Sequence, residues 1–121
     1  MFKWMTGNTY SNVVTLYANN FTLNSVACQY FQEIRWCLIG IDEASLKVAI
    51  KPVTAREIDL HLVPMEHLNK VSMGKGYARI SNKHIVDGIS TLIQKECNGL
   101  KFLASYDEKE KMLIVDLNRQ L

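Results

Sequence analysis

His61, Glu66 and His67 lie close together in the sequence and are residue types that bind zinc. The two histidines are six residues apart, on a stretch predicted to be a strand followed by a loop, and this matches no spacing typical of a zinc site. The third histidine, His84, follows a predicted helix cap, and we interpret it as a partly exposed polar residue. The sequence therefore predicts no metal site.

Two pairs of neighbouring carboxylates, Asp42-Glu43 and Asp107-Glu108, are of the kind that performs acid–base catalysis. Each pair lies between two strand-like apolar runs, where Asp favours a turn. No Ser-His-Asp or Cys-His arrangement can be assembled around either pair. Solvated turns account for both pairs, and we expect no enzymatic activity, no catalytic residues and no bound cofactor.

The three cysteines, Cys28, Cys37 and Cys97, have no Cys-x-x-Cys spacing and are set in apolar surroundings. We interpret them as buried free thiols in a reducing cytoplasm. No window of the chain approaches the roughly 18 apolar residues of a membrane-spanning helix. The sequence predicts a cytoplasmic protein with no membrane partner.

Basic residues are concentrated in one stretch of the second half of the chain. The formal net charge of +2 is too small to indicate nucleic-acid binding by itself. The distribution is more informative, because no acidic residue occurs between Glu66 and Asp87. This stretch holds four basic residues, Lys70, Lys75, Arg79 and Lys83. In contrast, residues 4–32 contain no charged side chain.

Two stretches, residues 13–53 and 70–117, have the same predicted plan within a single domain of residues 1–121. After a loop in residues 1–12, Val13 to Leu23 predict a hairpin through an Asn-containing turn. Asn24 or Ser25 is predicted to cap a helix that ends near Glu33. A strand pair follows, joined by the acidic turn at Asp42-Glu43 and ended by Pro52.

The second stretch repeats these signals after a connector of about residues 54–69, in which alternating Ile58, Leu60 and Leu62 predict an edge strand. The glycines of Gly74-Lys75-Gly76 predict a tight hairpin turn. Ser81 or Asn82 is predicted to cap a helix that ends at Asn98-Gly99. The last strand pair turns through the acids that follow Tyr106.

The repeated hairpin, capped helix and hairpin resemble the swapped-hairpin domains of the AbrB, SpoVT and MraZ type. In that family a segment of the form Gly-Arg-hydrophobic-x-Ile-Pro leads from a strand into the helix. Here Gly76 stands at the glycine, and Leu23-Asn24 and Ile80-Ser81 stand where Ile-Pro would be, whereas Asn20 and Tyr77 replace the arginine. The resemblance implies an α+β, β-rich fold of two β-hairpin–helix–β-hairpin repeats that form a swapped-hairpin-like barrel.

The resemblance also implies a function. It predicts a small bacterial protein, similar to a transcription regulator, that binds double-stranded DNA and associates into a homo-oligomer. The phosphate contacts would come from the second-half hairpin, through Lys70, Lys75, Arg79 and Lys83. Two alternatives stay open: the basic residues form only a solvated face, or the fold is a protein-interaction and self-assembly module that uses its uncharged first hairpin.

Overall fold

The computed structural model of the chain describes residues 1–2 and 11–121, so most of the loop predicted for residues 1–12 lies outside the described residues. The strands are β1 (Asn12–Tyr17), β2 (Asn20–Leu23), β3 (Trp36–Asp42), β4 (Lys47–Val53), β5 (Asn69–Gly74), β6 (Tyr77–Ser81), β7 (Leu100–Asp107) and β8 (Met112–Gln120). The α-helices are α1 (Ala55–Asp59) and α2 (Lys83–Ile93), and short 3-10 helices span Ala27–Phe31 and Met65–His67.

The eight strands form a closed antiparallel barrel in the order β1-β2-β6-β5-β3-β4-β8-β7, and β7 pairs with β1 to close it. Four hairpins supply the strands, and each hairpin also pairs with hairpins from the other half of the chain. The two halves of the chain occupy equivalent places in this order. Renumbering β1 to β4 as β5 to β8, and the reverse, gives the same ring read in the opposite direction. Every one of the eight strands has a partner on both sides, but β3 and β5 pair only through Trp36 with Lys70 and Cys37 with Asn69, so residues 38–42 of β3 have no paired strand on that side.

The prediction of an α+β fold built from two β-hairpin–helix–β-hairpin repeats is wrong. The protein is a closed eight-stranded barrel, mostly sheet, and the described residues contain two short α-helices. The predicted first helix is a five-residue 3-10 helix, Ala27–Phe31. Asn24 Oδ1 accepts hydrogen bonds both from the backbone N of Ala27, at 3.0 Å, and from that of Val13, at 3.2 Å. The Asn24 side chain therefore links this turn to β1, although the N-cap position of the 3-10 helix is Val26 and not Asn24 or Ser25.

The connector is helical at the place where an edge strand was predicted. Thr54 Oγ1 accepts a hydrogen bond from the backbone N of Glu57, and Glu57 Oε1 accepts one from the backbone N of Thr54, both at 3.1 Å. This reciprocal capping satisfies two free N–H groups at the start of α1. The helix therefore forms despite the strand-like alternation of Ile58, Leu60 and Leu62, and that prediction is wrong.

The core fills the interior of the barrel with alternate residues of the strands, as the two-residue period of a strand requires. Its largest fully buried side chains include Phe21, Phe31, Phe102, Leu16 and Ile50. Helix α2 adds Val86 and Ile89. Asn82 caps this helix, as predicted, by accepting a hydrogen bond from the backbone N of Ile85, but the helix ends at Ile93 and not at Asn98-Gly99. In the part of the chain described, no helix combines the length and apolarity needed to cross a membrane.

Candidate nucleic-acid interface

The barrel divides into two contiguous sets of four strands with different charge. Strands β1, β2, β6 and β5 with their turns, residues 12–23 and 69–81, contain no Asp or Glu and three basic residues, Lys70, Lys75 and Arg79. We call their outer surface the acid-free face. Strands β3, β4, β8 and β7 with their turns, residues 36–53 and 100–120, contain six basic and six acidic residues. We call that surface the mixed-charge face.

One row of paired strand positions crosses the acid-free face and continues onto β7. The strand register places Thr15 opposite both Thr22 and Lys101, and Arg79 opposite both Thr22 and Ser72. Thr22, Ser72, Arg79 and Lys101 alternate with side chains that fill the core and point outward, whereas Thr15 is buried, with 8% of its surface exposed. Neighbouring strands are about 4.8 Å apart, so the row places two cations near its ends, with the half-buried Thr22 and the buried Thr15 between them.

Arg79 lies beside the ring of Tyr77, and this ring lies over Gly74. Its guanidinium carbon lies 5.6 Å from the centre of the Tyr77 ring, within the range of a cation–π interaction. The Tyr77 ring lies over Gly74, its partner across the β5–β6 hairpin, and any side chain at Gly74 would collide with it. The absence of a side chain at Gly74 therefore leaves room for the Tyr77 ring, and the Arg79 guanidinium lies beside that ring.

A shallow depression lies beside this arginine. It has a volume of about 540 Å³ and is lined by Tyr17, Asn20, Thr22, Tyr77 and Arg79. The tyrosines remain 42% and 37% exposed, respectively. Aromatic rings, a guanidinium, an amide and a hydroxyl around one depression can together contact a phosphate, stack on a planar group and donate or accept hydrogen bonds.

The four predicted phosphate contacts are not equivalent. Lys70 and Arg79 are exposed on adjacent strands, and Lys75 is exposed in the β5–β6 turn, where Gly76 has the positive φ of 79° that a tight turn needs. Lys83, the first residue of α2, has its Nζ 2.7 Å from Asp87 Oδ2. The structure therefore brings Lys70, Lys75 and Arg79 to one face, while the charge of Lys83 is partly neutralised.

The first hairpin contributes different groups from those expected of a subunit interface. Val14 is fully buried in the barrel, so it is not available to a partner. The outward groups near the depression are Tyr17, Asn20 and Thr22. Sequence reasoning missed Lys101, because its position beside Thr15 depends on pairing between the first and seventh strands. It also missed the contact between Tyr77 and Arg79, although their i, i+2 spacing on a strand places both on one side.

The other candidate groups have structural roles. Asp42 Oδ1 accepts hydrogen bonds from the backbone N atoms of Ala44 and Ser45, and Asp107 Oδ1 does the same at the β7–β8 turn, which confirms that these acids form turns. Cys28, Cys37 and Cys97 are buried and free, as predicted. Burial raises the pKa of the Cys37 thiol to about 12, so this thiol is inert at neutral pH.

Comparison with known proteins assigns no family to the chain. A scan against protein families, a search of curated proteins and a search of solved structures each found no match. The resemblance to the swapped-hairpin family stays a prediction that depends on the residues quoted above. Function is therefore argued from the charge, exposure and geometry of the acid-free face.

Proposed function

We propose that this protein binds DNA through the acid-free face, with Lys70, Lys75 and Arg79 contacting phosphates. The observation that carries the proposal is the exposure of these three cations on the β5–β6 hairpin, within four contiguous strands that contain no carboxylate. A surface of one sign attracts a polyanion, and each phosphate contact releases condensed counterions. Lys101 lies in the same row of paired strand positions as Arg79, but on β7 of the mixed-charge face.

The proposal predicts a moderate affinity with a strong dependence on salt. Three phosphate contacts give a slope of about −2.7 in a plot of log affinity against log salt for a duplex. Affinity should therefore fall about 40-fold between 50 and 200 mM salt. The transcription-regulator role implied by the family resemblance is compatible with this behaviour, and the buried free thiols support the predicted cytoplasmic location.

Binding to a labelled random-sequence duplex, measured by fluorescence anisotropy at low salt, tests the proposal. The triple variant Lys70→Ala, Lys75→Ala, Arg79→Ala should lose most of the affinity. Its matched control is Lys47→Ala, Arg56→Ala, Lys109→Ala, which also removes two lysines and one arginine, all exposed and all outside the acid-free face. Circular dichroism checks that both remain folded. Equal losses in the two variants would show non-specific attraction and would contradict the proposal.

A second candidate function is self-assembly through the connector. Leu60, Leu62 and Met65 are 55%, 66% and 62% exposed, respectively, although each is large and apolar. Burying them against a second copy of the chain would remove this apolar surface from water. The variant Leu60→Asp, Leu62→Asp should then lower the mass measured by light scattering. A wild-type protein that is monomeric at high concentration would exclude this candidate without affecting DNA binding.

A further inference from the structure

We infer that the acid-free face binds single-stranded nucleic acid, with an unpaired base stacked in the depression lined by Tyr17 and Tyr77. The inference rests on the proposed DNA binding and adds the class of nucleic acid and the subsite for the base. Phosphate contacts alone do not distinguish a duplex from a single strand, because both expose the backbone. The aromatic groups beside the cations make the distinction.

Both tyrosines are partly exposed at the depression, and because one face of the Tyr77 ring lies on Gly74, a base can stack only on its other face, beside Arg79. In a duplex the bases are paired and stacked on one another, so a ring on a protein surface reaches only their edges. An unpaired base exposes a π-face, and stacking on an aromatic side chain is sequence-tolerant. Tyr17 and Tyr77 are both more than one-third exposed beside the basic residue Arg79. This pairing of aromatic platforms with cations is typical of single-strand binding surfaces.

A second tyrosine pair in the molecule shows the opposite arrangement. Tyr30 and Tyr106 stack on each other, with ring centres 3.9 Å apart and planes 3° from parallel. Each of these rings has one face covered by the other, and both pack against the core. Tyr17 and Tyr77 lie two strands apart, on β1 and β6, and line the same depression. The chain thus uses one tyrosine pair for packing and leaves the other pair to the surface.

The Tyr77 ring and the Arg79 guanidinium lie beside each other in the protein without a ligand. The ring lies over Gly74, and the Arg79 guanidinium lies near it at 5.6 Å from the ring centre. Side chains that already contact each other in the free protein lose less conformational entropy on binding than side chains without contacts do. A base on the depression and its phosphate at Arg79 would then be contacted by groups that already lie beside each other.

Polar atoms in the depression can bind the edge of a base. Asn20 Oδ1 accepts a hydrogen bond from Thr22 Oγ1 at 2.8 Å, and Asn20 Nδ2 donates one to Asn19 Oδ1 at 2.9 Å. An amide oxygen accepts two hydrogen bonds and an amide nitrogen donates two, so Asn20 keeps capacity for one more of each.

The test compares nucleic acids whose bases are unpaired, paired or absent. Fluorescence anisotropy at low salt measures binding to a labelled single-stranded DNA of random sequence, the same DNA as a duplex, the same sequence as RNA, and a strand with several consecutive abasic sites. We expect tighter binding to the single strands than to the duplex. The abasic strand should bind about 5- to 150-fold more weakly than the intact strand, the range for loss of one stacked base.

Two double variants of the tyrosines separate the contribution of stacking to binding from effects on folding and charge. Tyr17→Leu, Tyr77→Leu removes both rings and should weaken single-strand binding by a similar factor, while duplex binding should fall much less, through the loss of the aromatic contact to Arg79 alone. Tyr17→Phe, Tyr77→Phe keeps both rings and should bind like the wild type. Each Leu substitution is also made singly, so that one unstable variant does not decide the result. The DNA and RNA arms report which sugar the site accepts.

The outcomes separate this inference from the proposed function. Equal affinity for single strand and duplex, with no effect of the Leu variants, would overturn the stacking inference. DNA binding would then stand if the Lys70, Lys75 and Arg79 variant still lost affinity. If no nucleic acid bound even at low salt, both would fail. Equal losses of duplex and single-strand binding in well-folded Leu variants would also contradict a stacking role.

Discussion

The acid-free and mixed-charge faces have the same secondary structure but make their turns with different residues. On the mixed-charge face, Asp42 and Asp107 accept hydrogen bonds from backbone N–H groups of their turns. On the acid-free face, Asn19 lies in the β1–β2 turn and Gly76 supplies the positive φ of the β5–β6 turn. Turns that need no carboxylate leave the cations of this face uncompensated. The residue types that form a turn thus determine the charge of the neighbouring surface as well as the backbone conformation of the turn.

The two faces share one hydrophobic core. The largest effect we predict is the loss of stability when a charge is placed in that core. Val14→Lys would place an ammonium group at a fully buried position of β1. We expect a loss of about 4 kcal/mol or more of the free energy of unfolding, enough to unfold a typical domain partly or fully. Chemical denaturation followed by circular dichroism measures it.

Tyr17→Lys, on the same strand but exposed, is the control for Val14→Lys. It should change stability by less than about 1 kcal/mol. A Val14→Lys protein as stable as Tyr17→Lys would show that Val14 does not point into the core.

A thiol on a strand of the mixed-charge face makes the shared core sensitive to alkaline pH. Burial raises the pKa of Cys37 from 9.0 to about 12, so the folded protein keeps the proton that the unfolded chain loses. The resulting stability is fully present below pH 9 and is lost as pH rises towards 12. At one pH unit above the unfolded pKa, the loss is about 1 kcal/mol.

Denaturation series of wild type and Cys37→Ala between pH 7 and about 10 check this prediction. The variant should be less stable at neutral pH, because the thiol packs in the core, but should lose less stability as pH rises. Parallel curves for the two proteins would mean that the Cys37 thiol does not contribute to the pH dependence.

A substitution at Gly74 should have a smaller effect on stability and should alter only the acid-free face. Gly74→Ala must displace the Tyr77 ring, since even a methyl group there would collide with it. We expect a loss of about 1 kcal/mol in stability and weaker binding of single-stranded DNA, because Arg79 loses its aromatic support.

Gly40→Ala, in β3 on the mixed-charge face, is the matched control, because a Cβ atom there meets nothing within 4 Å. It should leave DNA binding unchanged and keep or slightly raise stability. Equal effects of the two alanines on binding would contradict the role we assign to Gly74.

Local signals predicted much of the chain correctly. Asn19 and Gly76 lie at the turns of the two hairpins of the acid-free face, and Asn82 caps α2. The Thr54 and Glu57 capping box was visible in the sequence and was overlooked in favour of the alternation that follows it. These features are local because each depends on residues only a few positions apart.

The order in which the strands close the barrel, and the set of residues that forms the site, could not be predicted from local signals. Both depend on registers between strands far apart in the chain, such as Thr15 with Lys101 and Thr22 with Arg79. Many registers satisfy the same alternating pattern, and only packing of the complete core selects one. The three clustered cations were found because they lie in one hairpin, whereas Lys101 was missed because it does not.

The salt dependence of DNA binding tests the central claim most directly. Anisotropy titrations between 50 and 200 mM salt give the slope for the wild type and for the two matched triple alanine variants. We predict a slope of about −2.7 on a duplex for the wild type, nearly the same slope without Lys47, Arg56 and Lys109, and a slope near zero without Lys70, Lys75 and Arg79. The same slope for both variants would contradict a DNA-binding surface on the acid-free face.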